Sequence, residues 1–330
     1  MINVQRVLFV LFLLFVTSSF AQSQVLYGAA TGTDSGNRPS SLYMINPANG
    51  GATLIGPIGF NGVTGLEILP DGRLIASANA DDGENAIAVL IEINKTTGAG
   101  TLIGVLGNNA NEGECGRMPD ISYDDNTGTL FGYSDFCGGG DELMEVEAKF
   151  INYEGLYIIN PNNADVNFVG PSGFEDGGNG MAVRPSDGTI FHVPNDANGG
   201  LVILNRNTGQ GTIIPGSEGN VPLKIGALDF NPQTGVLYGA LKPEVRRGVG
   251  LADLELNETE FDSLVIINQT NGVTSILGSS VPGLDAIVFS ANDKFVSPVP
   301  TLSEYGLIAT AILLLAGSVL VLRRRQKLSI

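Results

Sequence analysis

The chain has 330 residues, which is enough for one large or two modest domains with a buried core. Glycine contributes 45 residues and proline 16, whereas charged residues make up only 15%, a composition that excludes a helical bundle and favours short strands joined by turns. The formal net charge of −17 excludes nucleic acid as a partner, because phosphate binding depends on basic side chains.

The first 21 residues have the features of a signal peptide. Arg6 precedes an uncharged apolar stretch at 7–16, and the segment ends in Ser19-Phe20-Ala21, with small residues at the −3 and −1 positions. We therefore expect cleavage after Ala21 and export of the remaining chain.

A hairpin pattern then recurs five times along the chain. Each copy places two apolar runs around a loop rich in Asn, Thr and Gly, which are residues that suit tight turns. The loops open at Asn46, Asn94, Asn160, Asn205 and Asn268. We number the five repeats as units one to five in chain order.

A third strand precedes every hairpin, and a fourth precedes that one in units two to five. Unit one lacks the fourth strand, but a strand-like run at 286–290 follows the fifth hairpin. A last strand that completes the first sheet would close a ring. The pattern predicts an all-β, five-bladed β-propeller over 22–295, with strand 284–290 beside 25–29. A β-sandwich could use as many short strands, but it would not explain the displaced one.

The two cysteines lie in unit three. If 121–123 pairs with 129–131, the residue numbers of opposite positions add up to 252. The numbers of Cys115 and Cys137 also add up to 252, so the same register would place the two cysteines opposite each other. An exported domain meets an oxidising compartment, so we predict a disulfide, which in the chain-entropy model adds about 3 kcal/mol. Two buried free thiols are the alternative.

Units three and five exceed the usual ~40–50-residue blade because of insertions at 135–154 and 242–262. Long loops on a rigid scaffold commonly carry binding sites. The first insertion contains four carboxylates that we expect to bind a cation, with Ca²⁺ as the candidate: Asp141, Glu142, Glu145 and Glu147. The alternative is a solvated loop without a ligand.

Catalytic motifs are few. His192 is the only histidine of the chain and is expected to be structural. An enzymatic alternative is a metal-dependent secreted hydrolase of the lactonase kind, which would use a cation in the axial channel. The candidate ligands on the inner strands are Glu67, Asp120, Asn179, Asp229 and Asp285. When the inner strands are aligned, only Glu67 and Asp229 occupy equivalent positions, and the other candidates lie at unequal heights. Such scattered side chains do not suit a common metal site, which favours a protein that is not an enzyme.

The C-terminus combines a short polar motif, an apolar run at 306–322 and a basic cluster. The motif consists of Pro300, Thr301, Leu302, Ser303 and Glu304, and the cluster contains Arg323, Arg324 and Arg325. The run is near the lower length limit for a transmembrane helix, and the arginines should stay cytoplasmic. A plain membrane anchor would have the same helix and basic cluster.

This tail resembles the IPTL-CTERM sorting signal of Gram-negative bacteria, a relative of PEP-CTERM tails, although Val299 and Tyr305 stand where that family usually has Ile and Trp. The resemblance implies recognition by an exosortase-like enzyme of the inner membrane, removal of the tail, and delivery to the cell surface or extracellular matrix. The repeats likewise resemble those of secreted bacterial propellers.

Three segments are therefore predicted: a signal peptide at 1–21, a propeller at 22–295 and a sorting tail at 296–330, which the membrane holds until processing. The expected function is that of a binding or structural protein of the cell envelope or matrix. Its expected partner is a surface or matrix protein or a glycan.

Overall fold

The computed structural model describes residues 24–31, 39–79, 87–107, 115–134, 136–137, 154–174, 180–194, 200–222, 225–242 and 262–294. This part of the chain contains 21 β-strands and no helix. It accordingly offers no helical segment that could span a membrane. The predicted signal peptide, sorting tail and transmembrane helix lie outside the described residues.

Units one and two share a seven-stranded antiparallel sheet, because one long strand belongs to both. The first half of this strand is the outer strand of unit one, and its second half is the inner strand of unit two. In spatial order the strands are β21 (Leu284–Lys294), β1 (Gln24–Ala30), β2 (Pro39–Ile45), β3 (Ala52–Ile68), β4 (Leu74–Asn79), β5 (Ala88–Ile93) and β6 (Gly100–Val105).

Units three, four and five are four-stranded antiparallel sheets. Unit three contains β8 (Asp120–Asp124), β9 (Thr129–Ser134), β11 (Gly155–Ile159) and β12 (Val166–Pro171), together with a ribbon of β7 (Cys115–Arg117) and β10 (Phe136–Cys137). Unit four contains β13 (Gly180–Val183), β14 (Ile190–Val193), β15 (Val202–Leu204) and β16 (Gly211–Ile213). Unit five contains β17 (Ile225–Phe230), β18 (Leu237–Leu241), β19 (Ser263–Ile267) and β20 (Thr274–Ser279).

The last described strand completes the first unit. β21 pairs with β1, so that Leu26 lies opposite Phe289 and Tyr27 lies opposite Val288. The inner strands then follow one another in the closed order β3, β8, β13, β17, β21 and β3 again. The predicted pairing of 284–290 with 25–29 is therefore confirmed, and the body is a β-propeller.

Local side-chain chemistry forms the hairpin turns. Asn94 shows the pattern, because its Oδ1 accepts a hydrogen bond from the Thr96 backbone N–H at 2.9 Å. The N–H of Gly98 donates to the Asn94 carbonyl oxygen at 2.8 Å, and Gly98 has a φ of +80°, which glycine adopts without steric cost. The equivalent turns begin at Asn46, Asn160, Asn205 and Asn268, as the repeats predict.

The hydrophobic core lies between consecutive units. Leu90 of unit two packs in one cluster with Met118, Ile121 and Tyr157 of unit three. A further cluster joins unit five to unit one and includes the closing strand through Ile287 and Phe289. Each fully buried side chain of this size contributes about 1.5–3 kcal/mol, so the stability of the ring depends on contacts between units.

Glycines allow the units to approach closely. A Cβ added at Gly98, in the turn of unit two, would lie 2.5 Å from the carbonyl oxygen of Gly56 in the outer strand of unit one. The same contact recurs between other neighbouring units, at Gly104 with Asn163, Gly170 with Thr208, and Gly278 with Asn49. In each of these contacts, a glycine in the outer strand of one unit packs against the turn of the next unit.

The predicted register around the cysteines is wrong by one residue. Ser122 lies opposite Phe131, and Asp124 lies opposite Thr129, because Asp124 remains in the strand and a four-residue turn follows it. A β-bulge between Phe136 and Cys137 then shifts the pairing back, so that Cys137 is the backbone partner of Cys115. The two positions do face each other, and the disulfide itself stays a prediction.

Candidate functional site

Four of the five candidate metal ligands of the predicted channel lie within the described residues, and they form two groups. Glu67, Asp120 and Asp229 lie on the inner strands β3, β8 and β17, and Asp285 is the second residue of the closing strand β21. Asn179 lies outside the described residues, as do the insertion carboxylates Asp141, Glu142, Glu145 and Glu147 and the sorting-motif residues 300–304 and 323–325.

Glu67 and Asp229 link adjacent inner strands in the same way. Glu67 accepts one hydrogen bond from its neighbour Ile68 and another from the Tyr123 N–H of the next unit, at 2.7 and 2.6 Å. Asp229 accepts from Phe230 at 2.7 Å and from Phe289 of the closing strand at 2.5 Å. Each carboxylate therefore satisfies backbone donors of two units.

Asp120 has a similar role at a different height along the inner strands. Its oxygens accept hydrogen bonds from Ile121 and from Met181 of unit four, both at 2.8 Å. Ser122, which occupies the strand position equivalent to Glu67, accepts from the Val183 N–H at 3.0 Å. The sequence had placed these acids at unequal heights, and the hydrogen bonds account for that scatter.

Burial between the inner strands disfavours the charged forms of these acids. Desolvation raises the pKa of Glu67 well above its usual value, and the nearby charge of Asp229 raises it further. Desolvation likewise raises the pKa of Asp120 and brings the pKa of Asp229 to about 7. Within the described part of the chain, no group of three or more Asp, Glu, His or Cys side chains could hold a metal ion.

Asp285 belongs to a separate polar cluster where unit five meets unit one. It forms an ion pair with Lys242 and accepts a hydrogen bond from the Thr31 hydroxyl at 2.9 Å. The buried Asp262 accepts from the Leu284 N–H at 2.6 Å, and desolvation raises its pKa to about 6. Lys242 and Asp262 are the two ends of the unit five insertion, so this cluster fixes the base of that loop to the closing strand.

His192 has the environment of a structural residue. It is fully buried, its Nδ1 lies 2.9 Å from the Gly180 carbonyl oxygen, and its ring stacks on Tyr133 with centroids 4.0 Å apart. The carbonyl partner requires that Nδ1 carry the proton. Desolvation lowers the pKa of His192 to about 4, so the imidazole is neutral at pH 7.

Sequence reasoning missed a set of side-chain hydrogen bonds between the turns of neighbouring units. Arg206 donates to the buried carboxylate of Asp124 at 2.6 Å. Arg184 donates to the Gln269 side-chain oxygen at 3.0 Å, and its guanidinium also binds Asp187. The links from Arg206 to Asp124 and from Arg184 to Gln269 each join residues more than 80 positions apart, so no local pattern could identify them.

Comparisons with known proteins identify the tail. Residues 297–326 match the IPTL-CTERM motif, which confirms the predicted sorting signal. No curated protein matches the chain.

Solved structures similar to this chain include one from a nidogen/laminin complex, with 11% identity, a TM-score of 0.49, and 81% of this chain and 85% of that chain covered. A gluconolactonase from Xanthomonas campestris has 11% identity and a TM-score of 0.43, covering 79% and 78%. TolB from Acinetobacter baumannii has 12% identity and a TM-score of 0.42, covering 80% and 66%.

Proposed function

We propose that this protein is an exported, surface-sorted five-bladed β-propeller that acts as a binding or structural component of the cell envelope or extracellular matrix. The observation that carries the proposal is the IPTL-CTERM match at 297–326, directly after the last strand of the propeller. A count of five blades is supported by five hairpins and by five inner strands in closed order.

A role without catalysis is supported by what the inner carboxylates do. Glu67, Asp120 and Asp229 each accept two backbone hydrogen bonds, one from the next residue of the same strand and one from the neighbouring unit. His192 is buried and neutral, and it contacts the Gly180 carbonyl oxygen and the Tyr133 ring. These hydrogen bonds and contacts give the three inner carboxylates and His192 a structural use.

Export would begin with the signal peptide at 1–21, and a transmembrane helix at 306–322 would hold the protein in the inner membrane until an exosortase-like enzyme removes the tail. The test is the intact mass of the protein recovered from the cell surface and the medium. We expect a product without residues 306–322, and we expect Pro300→Ala with Thr301→Ala to leave uncleaved protein in the inner membrane. A full-length mass at the surface would indicate a plain anchor and contradict the sorting proposal.

The second candidate is a metal-dependent hydrolase of the lactonase kind. It is supported by the electrostatic interaction of Glu67 with Asp229, because the charge of Asp229 adds to the desolvation that raises the pKa of Glu67. Metal analysis of the purified 22–295 body separates the two functions. The binding or structural role predicts no tightly bound divalent ion in the channel, whereas the hydrolase requires one that Glu67→Gln and Asp229→Asn remove.

Binding to a surface or matrix protein or to a glycan would use the insertions of units three and five. Both insertions fall between the second and third strands of their units, so they emerge at the same edge of the ring as the connections from one unit to the next. We propose Ca²⁺ as a ligand of Asp141, Glu142, Glu145 and Glu147 in the first insertion.

A further inference from the structure

The outer hairpins of units five and one lack charge entirely. Residues 39–57 and 263–279 contain no Asp, Glu, Lys, Arg or His, although the chain has 34 acidic and 17 basic residues. These two segments comprise the outer strands of both units, together with the turns that join them. We call this surface the charge-free rim.

The two halves of the rim are continuous. Gly50, in the turn of unit one, lies so close to Gly278 of unit five that an added Cβ would be 2.8 Å from the Gly278 carbonyl oxygen. The carbonyl of Asn49 approaches Gly278 from the other side of the same contact. The rim is therefore one surface spanning two neighbouring units at the point where the ring closes.

Large aliphatic side chains project from this surface into solvent. Ile276 is 65% exposed, Leu54 is 58% exposed and Val273 is 47% exposed. Val273 also lines a groove of about 560 Å³ together with Ser275 and Ile266, and Arg184 of unit four contributes a charged side chain to the same groove. Exposed apolar surface next to a groove is typical of protein interaction sites.

The rim also offers unpaired strand edges. Within the described sheets, β20 pairs only with β19, and the first half of β3 pairs only with β2. Proteins usually protect such edges with charged side chains, above all lysine, because a free edge can pair with a strand of another chain. The outer strands of the rim carry no such protection.

We propose that two copies of this chain associate through the charge-free rim, with the β20 edges of the two copies in antiparallel contact about a twofold axis. Antiparallel pairing of identical edges is self-complementary, as a twofold interface requires. Residues 22–295 contain 33 acidic and 12 basic residues, a net charge of −21, so two copies of the body repel each other elsewhere, whereas the rim allows close approach without desolvating any ionised side chain of its own. The interface concerns the body alone and does not depend on processing of the tail.

The experiment is sedimentation velocity on the 22–295 body, which contains the partner of every described strand. We expect a concentration-dependent dimer, and we expect Ile276→Lys to weaken it at least about tenfold, because the lysine places a charge on the pairing edge. The matched control is Leu102→Lys. Leu102 occupies the equivalent position in unit two and is 54% exposed, but the hairpin of unit two already carries Glu92 and Lys95.

Three results would overturn the proposal: a monomer at all concentrations up to the submillimolar range, equal effects of the two lysine variants, or a dimer that requires calcium. Salt provides an independent readout. Because the rim has no charges, the dimer should persist at high ionic strength, whereas an interface built on the acidic insertions should change with salt. An unfolding temperature equal to that of the unmodified body shows that each variant is folded.

Discussion

The contact between Gly98 and Gly56 allows a direct test of how strongly the units depend on close approach. We predict that Gly98→Ala destabilises the 22–295 body by two separate effects. The first is conformational, because Gly98 has a φ of +80° and an L-residue in the left-handed region costs about 1–2 kcal/mol. The second is steric, because the new Cβ would lie 2.5 Å from the Gly56 carbonyl oxygen and 2.7 Å from its carbonyl carbon.

The steric effect has no flexible side chain to relieve it, since both neighbouring atoms belong to the backbone. Overpacking of this kind typically costs about 1–3 kcal/mol. The total expected loss in the free energy of unfolding is therefore about 2–5 kcal/mol. Gly235→Ala is the matched control, because Gly235 ends a similar turn with a φ of +68° but has no atom within 4 Å of the position that an added Cβ would take.

Urea and thermal unfolding of both variants measure the difference. Gly235→Ala should lose only the conformational part, so Gly98→Ala should be less stable than the control by about 1–3 kcal/mol. For a domain of this size each kcal/mol lowers the unfolding temperature by about 2–4 °C. Equal losses in the two variants would refute the conclusion that the glycines are needed for contact between units.

Three further predictions concern the acids and the cysteines. Because the pKa of Asp229 is about 7 in the folded protein against an ordinary value of 3.8, the folded state binds more protons between about pH 4 and 7, and the free energy of unfolding should fall as pH rises through that range. Urea unfolding at pH 5 and pH 8 checks the sign, and greater stability at pH 8 would contradict it. Cys115 and Cys137 should be oxidised in the exported protein, so reduction should lower the unfolding temperature, and alkylation of both thiols in the untreated native protein would argue against the bond. Millimolar Ca²⁺ should raise the unfolding temperature, because a ligand bound only by the folded state stabilises it. The amide variants of Asp141, Glu142, Glu145 and Glu147 should reduce that shift, whereas the control variants Glu67→Gln and Asp229→Asn should leave it unchanged. An unfolding temperature that does not respond to calcium would contradict Ca²⁺ as the ligand of the first insertion.

The sequence by itself determined the units and their order. Short apolar runs separated by Asn- and Gly-containing turns specify hairpins locally, because the Asn side chain and the glycine backbone form the turn within five residues, as at Asn94 and Gly98. The displaced strand at 284–290 could also be predicted, because a missing strand at one end and an extra strand at the other have a simple joint explanation in a ring. The C-terminal motif was identifiable because a sorting signal is a linear pattern.

Only the tertiary structure decided which backbone groups donate hydrogen bonds to the inner acids. The sequence leaves the partners of Glu67 and Asp229 open, since a carboxylate suits both metal binding and hydrogen bonding. The N–H groups that the next unit presents to them lie about 60 residues away along the chain, at Tyr123 and Phe289. The bulge that brings Cys137 opposite Cys115 is likewise a consequence of pairing between strands and has no signal in either strand alone.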